Sequence, residues 1–212
     1  MTHPTPHPPA PGNAAIPGTA GYGAHAAALA AQYESIRFAD VHAALLHLYP
    51  TAPSRVLDIG AGSGRDAAAL AGAGHHVVAA EPTAALRQEG QRIHAGVPIE
   101  WVDDHLPALA GLRASGLRFD LILLTAVWMH LDTAERNAAL PHVAELMAPG
   151  ALLAMSLRHG PIPAGRRMFD VSAEETIALA AQHGLALAHH GGRDDAQGRA
   201  DVHWSVLALR KR

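Results

Sequence analysis

The sequence predicts an α/β protein: a doubly wound, mostly parallel sheet of seven strands with helices on both faces, closed by a C-terminal antiparallel hairpin. Three observations carry this expectation. Strand-like and helix-like segments alternate from about residue 51 to the C-terminus. Several strand segments are apolar almost throughout, as strands covered on both faces must be. The first of them ends in glycines spaced two apart, and an alanine-rich helix follows at once: Val56-Leu57-Asp58-Ile59-Gly60-Ala61-Gly62-Ser63-Gly64-Arg65.

The elements follow in order. Residues 1–21 are rich in proline and glycine, cannot build a core, and are expected to form a disordered tail. Residues 22–50 read as an N-terminal helical cap. Helical spacing begins near Ala24, Val41, Leu45 and Leu48 mark one face, and Tyr49-Pro50 stops the helix. The main domain occupies 51–212. Strands are expected at 55–59, 76–80, 99–102, 119–125 and 151–157, with helices at 63–73 and 83–95. Asp132 to Glu135 reads as a capping pair opening a helix to about Met147, which Pro149-Gly150 ends. Ser172 to Glu175 opens another helix, which stops at Gly184. Strands near 185–190 and 202–210 close the chain as a hairpin around the polar stretch 191–200.

Composition narrows the function classes. Charged residues make up 17% and the net charge is −3, so the chain lacks the basic excess of a nucleic-acid binder. Arg166-Arg167 and Arg210-Lys211-Arg212 are too short to form a patch. There is no cysteine, which excludes disulfides, thiolate metal sites and a cysteine nucleophile. The 16 histidines are scattered without metal-ligand spacing, so no metal site is expected. No stretch is long and apolar enough to span a bilayer, and the N-terminus lacks the pattern of a secretion signal. The expectation is a cytoplasmic protein, monomer or homodimer, without membrane or nucleic-acid partners.

Glycine lacks a Cβ, so the backbone at 60–64 turns sharply and a ligand can lie against it. About twenty residues on, the second strand ends in Glu81, placed to accept hydrogen bonds from both hydroxyls of a ribose. Together these describe a nucleoside pocket. A dinucleotide fold usually reads G-x-G-x-x-G, whereas here Asp58 stands two residues before the first glycine. It would repel a pyrophosphate and favour an ammonium group.

With these pieces in order, the chain resembles the class I S-adenosylmethionine-dependent methyltransferases from about Ala24 onward. The likeness rests on Leu57 to Gly64, Ala80-Glu81-Pro82, Asp103-Asp104, Phe119 to Thr125, Met147 to Leu153 and the closing strand pair. The resemblance implies that Gly60, Ala61 and Gly62 cradle the methionine half of S-adenosylmethionine and that Asp58 bears on its amino group. It further implies that Glu81, followed by Pro82, takes the ribose and that Asp103 or Asp104 accepts from the adenine amino group. Thr125 and Ala126 would line the methionine part, and Arg37 of the cap would meet its carboxylate.

The acceptor side is read from the residues that follow the fourth and fifth strands. His130, in Trp128-Met129-His130, suits a general base because its unperturbed pKa lies near neutrality, or else it supports a loop. Arg158-His159-Gly160-Pro161 places a cation where a carboxylate or phosphate can be gripped, with Arg166 or Arg167 as further contacts. Tyr33, Glu34 and His42 of the cap fall at spacings that put some of them over the site, while Trp204 reads as packing. The expected function is methyl transfer to O, N or S of a small metabolite, acidic if Arg158 grips it. The product would be S-adenosyl-L-homocysteine. The alternatives are a non-catalytic S-adenosylmethionine-binding subunit or sensor, and a nicotinamide-dependent oxidoreductase, which Asp58 weighs against.

Overall fold

The computed structural model describes residues 16–19 and 21–212. Most of the expected 1–21 tail therefore lies outside the described residues. The N-terminal part runs through short 3-10 turns at Pro17–Thr19 and Gly23–His25, then helices α1 (Ala26–Glu34) and α2 (Phe38–Val41) and a 3-10 turn at Leu46–Leu48. The main domain alternates β1 (Arg55–Ile59), α3 (Arg65–Gly72), β2 (His76–Ala80), α4 (Ala84–Ile93), β3 (Ile99–Val102), α5 (Ala110–Ala114), β4 (Phe119–Thr125), α6 (Thr133–Leu146), β5 (Met147–His159), α7 (Ala173–Gln182), β6 (Leu185–Asp194) and β7 (His203–Lys211).

The sheet order is β3-β2-β1-β4-β5-β7-β6, and β7 alone runs against the others. β1 has β2 on one side and β4 on the other, both parallel to it. The chain therefore reverses its direction of winding beside β1, and ligands in such sheets bind beyond the carboxyl ends of the strands at that switch.

Alternation along each strand divides the core. Val56, Val77, Leu121, Leu123 and Ala154 meet Ala67 and Leu70 of α3 and Leu45 and Tyr49 of the cap. Leu57, Ile59, Val78, Ile122, Leu124 and Leu153 meet Leu112, Leu140 and Val143 on the opposite face. Burial on both sides explains why these strands read as continuous apolar runs. Asp58 falls on the α3 face by the same alternation, so the sheet delivers a carboxylate to the start of that helix. Among the described residues, no helix is long and apolar enough to cross a membrane.

The structure departs from the sequence expectations in four places. The cap is not one continuous helix. Arg37 is extended (φ −69°, ψ 143°), and the Ser35 hydroxyl donates to the Gln32 carbonyl, so local side-chain chemistry competes with the helix there. A buried network then ties the cap to α3: the Tyr49 hydroxyl pairs with His42 Nδ1 at 2.8 Å and His42 Nε2 with Asp66 Oδ2 at 2.8 Å. Second, α5 was not expected. It is short, and its first turn is held by Asp104, whose carboxylate accepts from the Leu112 N–H at 2.8 Å. Third, β5 begins at Met147, because Met147 pairs with Phe119 across a bulge instead of ending a helix. Fourth, the cap of α7 is half a box. Ser172 Oγ accepts from the Glu175 N–H, but its hydroxyl donates to Glu174. The Asp132–Glu135 pair of α6 is reciprocal, each side chain accepting from the other's backbone N–H at 2.8 Å.

Candidate active site

A cleft of ≈ 550 Å³ opens at the carboxyl ends of β1, β2, β4 and β5. That is within the size range of small-molecule sites. Its floor is the bend after β1. Gly60 and Gly62 have φ of +71° and +59°, and a Cβ on Gly60 would lie 2.6 Å from Val127 Cγ2. A side chain there would be strained and would also fill the approach to the backbone. The Tyr33 ring of α1 lies over Gly62, 3.3 Å from where a Cβ would stand, so the cap roofs this part of the cleft.

Glu81 is 5% exposed. Its Oε2 accepts from the Gly62 N–H at 2.9 Å and its Oε1 from the Thr83 N–H at 2.7 Å. Burial raises its pKa, and these two N–H groups act against that rise. Arg87 donates to the Glu81 carbonyl and to Asp103 Oδ2, the latter at 3.0 Å. Asp103 consequently faces Arg87 on an exposed surface and does not line the cleft, whereas buried Asp104 does.

Asp58 is 2% exposed, and among the described residues its Oδ2 has no hydrogen-bond partner. Burial, then the negative charge of Asp66, push its pKa well above the usual carboxylate range. Asp66 goes the other way. His42 and Arg65 overcome its burial and hold its carboxyl well below that range. Two buried acids thus face each other, one compensated on every side and one with an oxygen still free. An unpaired buried carboxylate oxygen is costly, so this arrangement suits a cationic ligand group.

Beyond β4 the backbone is strained. Ala126 has φ +60°, and its N–H donates to the buried Ser156 Oγ of β5 at 3.0 Å. Such conformations are held only by their surroundings and concentrate at sites. Thr125 and Ala126 line the cleft here. His130 follows, 8% exposed. Its Nδ1 lies 2.8 Å from the Arg167 carbonyl and its Nε2 3.0 Å from the Tyr22 hydroxyl. Burial lowers its pKa, and the charges of Arg166, Arg167 and Arg158 lower it further, against the bond to the Arg167 carbonyl.

The cleft brings together Asp58, Gly60, Ala61, Gly62, Glu81 and Pro82 with Asp104, Thr125, His130 and Arg158. Of the further cap and loop candidates it takes in Tyr33 and Arg166, whereas Glu34 bonds His94, His42 bonds Asp66 and Arg167 holds the His130 carbonyl, and Arg37, Asp103 and His159 also lie outside it. Arg37 points to solvent with its guanidinium on Asp40 at 2.7 Å, because the cap kinks at this residue. Asp103 is held by Arg87. His159 bonds Ser205 Oγ at 2.8 Å and stacks on His203, since alternation turns it to the face opposite Arg158. Trp128 is wholly buried in the core.

Sequence reasoning missed Tyr22 and Arg193. Arg193 reaches the cleft because β7 pairs Trp204 with Arg158 on one side and Arg193 on the other, and its guanidinium lies 4.7 Å from the Trp204 ring. No local signal marks such a row. The order of the last strands creates it.

A methyltransferase-domain family pattern matches residues 31–189. A demethylmenaquinone methyltransferase of Clavibacter sepedonicus is 31% identical over 126 residues, which are 58% of this chain and 49% of the relative. The chain thus spans about half the length of that curated relative. Among solved structures, the 1,6-didemethyltoxoflavin-N1-methyltransferase of Burkholderia thailandensis superposes with a TM-score of 0.64 at 22% identity, over 96% of this chain and 93% of that one. The magnesium protoporphyrin IX methyltransferase of Synechocystis does so with a TM-score of 0.64 at 19% identity, over 85% and 79%. With the strand order, the glycine bend and the acid after β2 already in place, the matched family decides the assignment: this chain belongs to the class I S-adenosylmethionine-dependent methyltransferases.

Proposed function

We propose that this protein transfers a methyl group from S-adenosylmethionine to O, N or S of a small acceptor that carries an acidic group. The observation that carries the reading is the free, buried Oδ2 of Asp58 beside the glycine bend, in one cleft with Glu81. A ligand with an ammonium at one end and a ribose at the other meets both demands. The Burkholderia neighbour was crystallised with S-adenosylhomocysteine and its acceptor, which supports the same use of this fold.

In this reading Asp58 takes the amino group of the methionine half, and Gly60, Ala61 and Gly62 give it backbone to lie on. Glu81 accepts from the two ribose hydroxyls through lone pairs not used by Gly62 and Thr83. Asp104 accepts from the adenine amino group, and Pro82 bounds the nucleoside. When bound, the sulfonium supplies an already electrophilic methyl. The protein's remaining work is to align a nucleophile behind that carbon, to exclude water, and to receive a proton where the nucleophile carries one.

Thr125 and the strained Ala126 shape the wall at the reacting carbon. His130, kept neutral by burial and three arginines, serves as base. Arg158 grips the acceptor's acidic group, with Arg166 beside it. Among the described residues the Arg158 guanidinium bonds only the Gly160 and Pro161 carbonyls, and its Nε has no partner.

The test is in two parts. Calorimetry should show S-adenosylhomocysteine binding that weakens in Asp58→Ala. A metabolite screen should find acceptors among acids, with a raised KM in Arg158→Gln. Tight cofactor binding with no turnover on any acceptor would support a non-catalytic subunit or sensor instead.

A further inference from the structure

His130 Nε2 faces not open cleft but a side chain of the N-terminal segment, the Tyr22 hydroxyl. The segment is packed onto the site. A Cβ on Gly18 would touch His130 Cβ at 3.7 Å, and one on Gly21 would meet the Gly165 carbonyl at 2.8 Å. Tyr22 is thereby placed in the cleft, its ring edge-on to the imidazole with centroids 5.6 Å apart. The Arg166 guanidinium lies 3.6 Å from the Tyr22 ring centroid.

The hydrogen-bond chemistry assigns the proton positions. A carbonyl oxygen only accepts, so His130 Nδ1 carries its proton and donates to the Arg167 carbonyl. In the neutral imidazole Nε2 is then a lone pair, and the Tyr22 hydroxyl donates to it at 3.0 Å. The Arg167 guanidinium donates to the His130 carbonyl at 2.7 Å and to Glu135 Oε2 at 2.8 Å, and it also binds Asp132 at 3.1 Å. The basic nitrogen of His130 is therefore engaged by the Tyr22 hydroxyl, and both side chains line the cleft.

We propose that Tyr22 is the group that takes the acceptor's proton, with His130 as its partner. This deepens the methyltransferase reading and rests on it. In one step the acceptor X–H passes its proton to Tyr22 Oη while the Tyr22 proton passes to His130 Nε2. The X–CH₃ bond forms as the carbon–sulfur bond of the sulfonium breaks, and S-adenosylhomocysteine leaves. The imidazolium, with its Nδ1–H still on the Arg167 carbonyl, then returns its proton to water through Tyr22.

The charges around the pair fit this role. Tyr22 feels burial first, which keeps it protonated at rest, then Arg166, Glu81 and Arg158. Arg166, Arg167 and Arg158 face His130 and keep it neutral, while Asp132 and Glu135 are engaged by Arg167. The two arginines nearest Tyr22 stabilise developing negative charge on the phenol and acceptor oxygens. A relay of this kind is needed only by a nucleophile that must lose a proton, and it is idle for a thioether or tertiary amine. Among the nucleophiles that must lose a proton, the acceptor class proposed is a weakly acidic hydroxyl on a molecule whose acidic group meets Arg158.

Three measurements test this. With S-adenosylhomocysteine bound, ¹⁵N NMR of His130 should show the Nδ1–H tautomer from pH 6 to 8. The Nε2–H tautomer or an imidazolium across that range would overturn the relay. Methyl transfer from S-adenosylmethionine should be followed on 4-hydroxybenzoate, 3-nitro-4-hydroxybenzoate and a panel of aliphatic hydroxy acids. Tyr22→Phe keeps the ring and its contact with Arg166. It should lower kcat about 10²-fold or more on weakly acidic hydroxyls with little change in KM, and much less on the nitrophenol, which ionises unaided. His130→Asn should show the same pattern, and the double variant should be no slower than either single one. Equal losses on all acceptors, no loss at all, or a wild type inert towards every hydroxyl would overturn the proposal. The third measurement is calorimetry with S-adenosylhomocysteine. Binding unchanged in Tyr22→Phe is expected, whereas no binding by the wild type would sink the cofactor reading itself.

Discussion

The Gly62 N–H donates to Glu81 Oε2 at 2.9 Å, so the glycine bend after β1 and the acid after β2 are one unit. The contact is made because β1 and β2 are parallel neighbours in register, Ile59 opposite Ala80, and both chains leave the sheet at the same level. It holds the Glu81 carboxylate at the mouth of the cleft with lone pairs to spare.

Glu81→Gln should weaken S-adenosylhomocysteine binding by about 1.5–3 kcal/mol, the worth of hydrogen bonds to a charged group. Isothermal calorimetry at pH 7 reads this directly. An unchanged affinity would remove Glu81 from ribose recognition.

Asp58→Asn should separate stability from binding. Asp58 has a raised pKa in the folded protein, so its contribution is fully favourable below the unfolded value of about 3.9 and is lost as pH rises through the folded value. At neutral pH the asparagine variant should therefore melt higher by an amount worth about 1–2 kcal/mol and yet bind S-adenosylhomocysteine more weakly. The stability gain should shrink as the pH falls towards 4. A variant less stable than wild type at pH 7 would contradict this.

Asp66→Asn should behave in the opposite sense. Its folded pKa is depressed by His42 and Arg65, so it stabilises the fold above about pH 3.9, and that contribution fades as the pH falls below it. Thermal melts should show a loss of about 3 kcal/mol or more at pH 7, as expected when one partner of a buried ion pair is removed. The loss should narrow in acid.

Gly90→Ala should reverse the usual helix rule. Alanine for glycine inside a helix ordinarily adds about 0.8–1 kcal/mol. Here a Cβ would stand 2.8 Å from Trp101 Cζ2 and 2.8 Å from the Ser63 carbonyl, where α4 crosses the glycine loop. Overpacking should cost about 1–3 kcal/mol by denaturant unfolding and should move the loop that cradles the ligand.

Asp103 and Asp104 should separate cleanly. Asp103→Asn alters an exposed pair with Arg87 and should leave cofactor affinity within about twofold, since exposed pairs contribute about 0–1 kcal/mol. Asp104→Ala should lower both affinity and melting temperature. It removes the acceptor for the Leu112 and His105 N–H groups as well as the proposed adenine contact.

Features carried by neighbours in the chain were legible without coordinates. The β1 strand, its glycine bend, the acid after β2 and the reciprocal cap of α6 are short-range chemistry: a positive φ favours glycine, and an N-cap needs an acceptor three residues before its donor. These fixed the positions of Asp58 and Glu81 in the architecture, and the family followed from their order. What stayed hidden depends on pairing across long separations. Asp104 caps α5 from eight residues away. Arg193 joins Arg158 only through the β5-β7-β6 order, and Tyr22 meets His130 across 108 residues. The same tyrosine, arginine and aspartate would suit many surfaces. Packing selects one partner for each, because a buried polar group left unpaired costs more than the alternatives, and that selection is made only when the whole sheet closes.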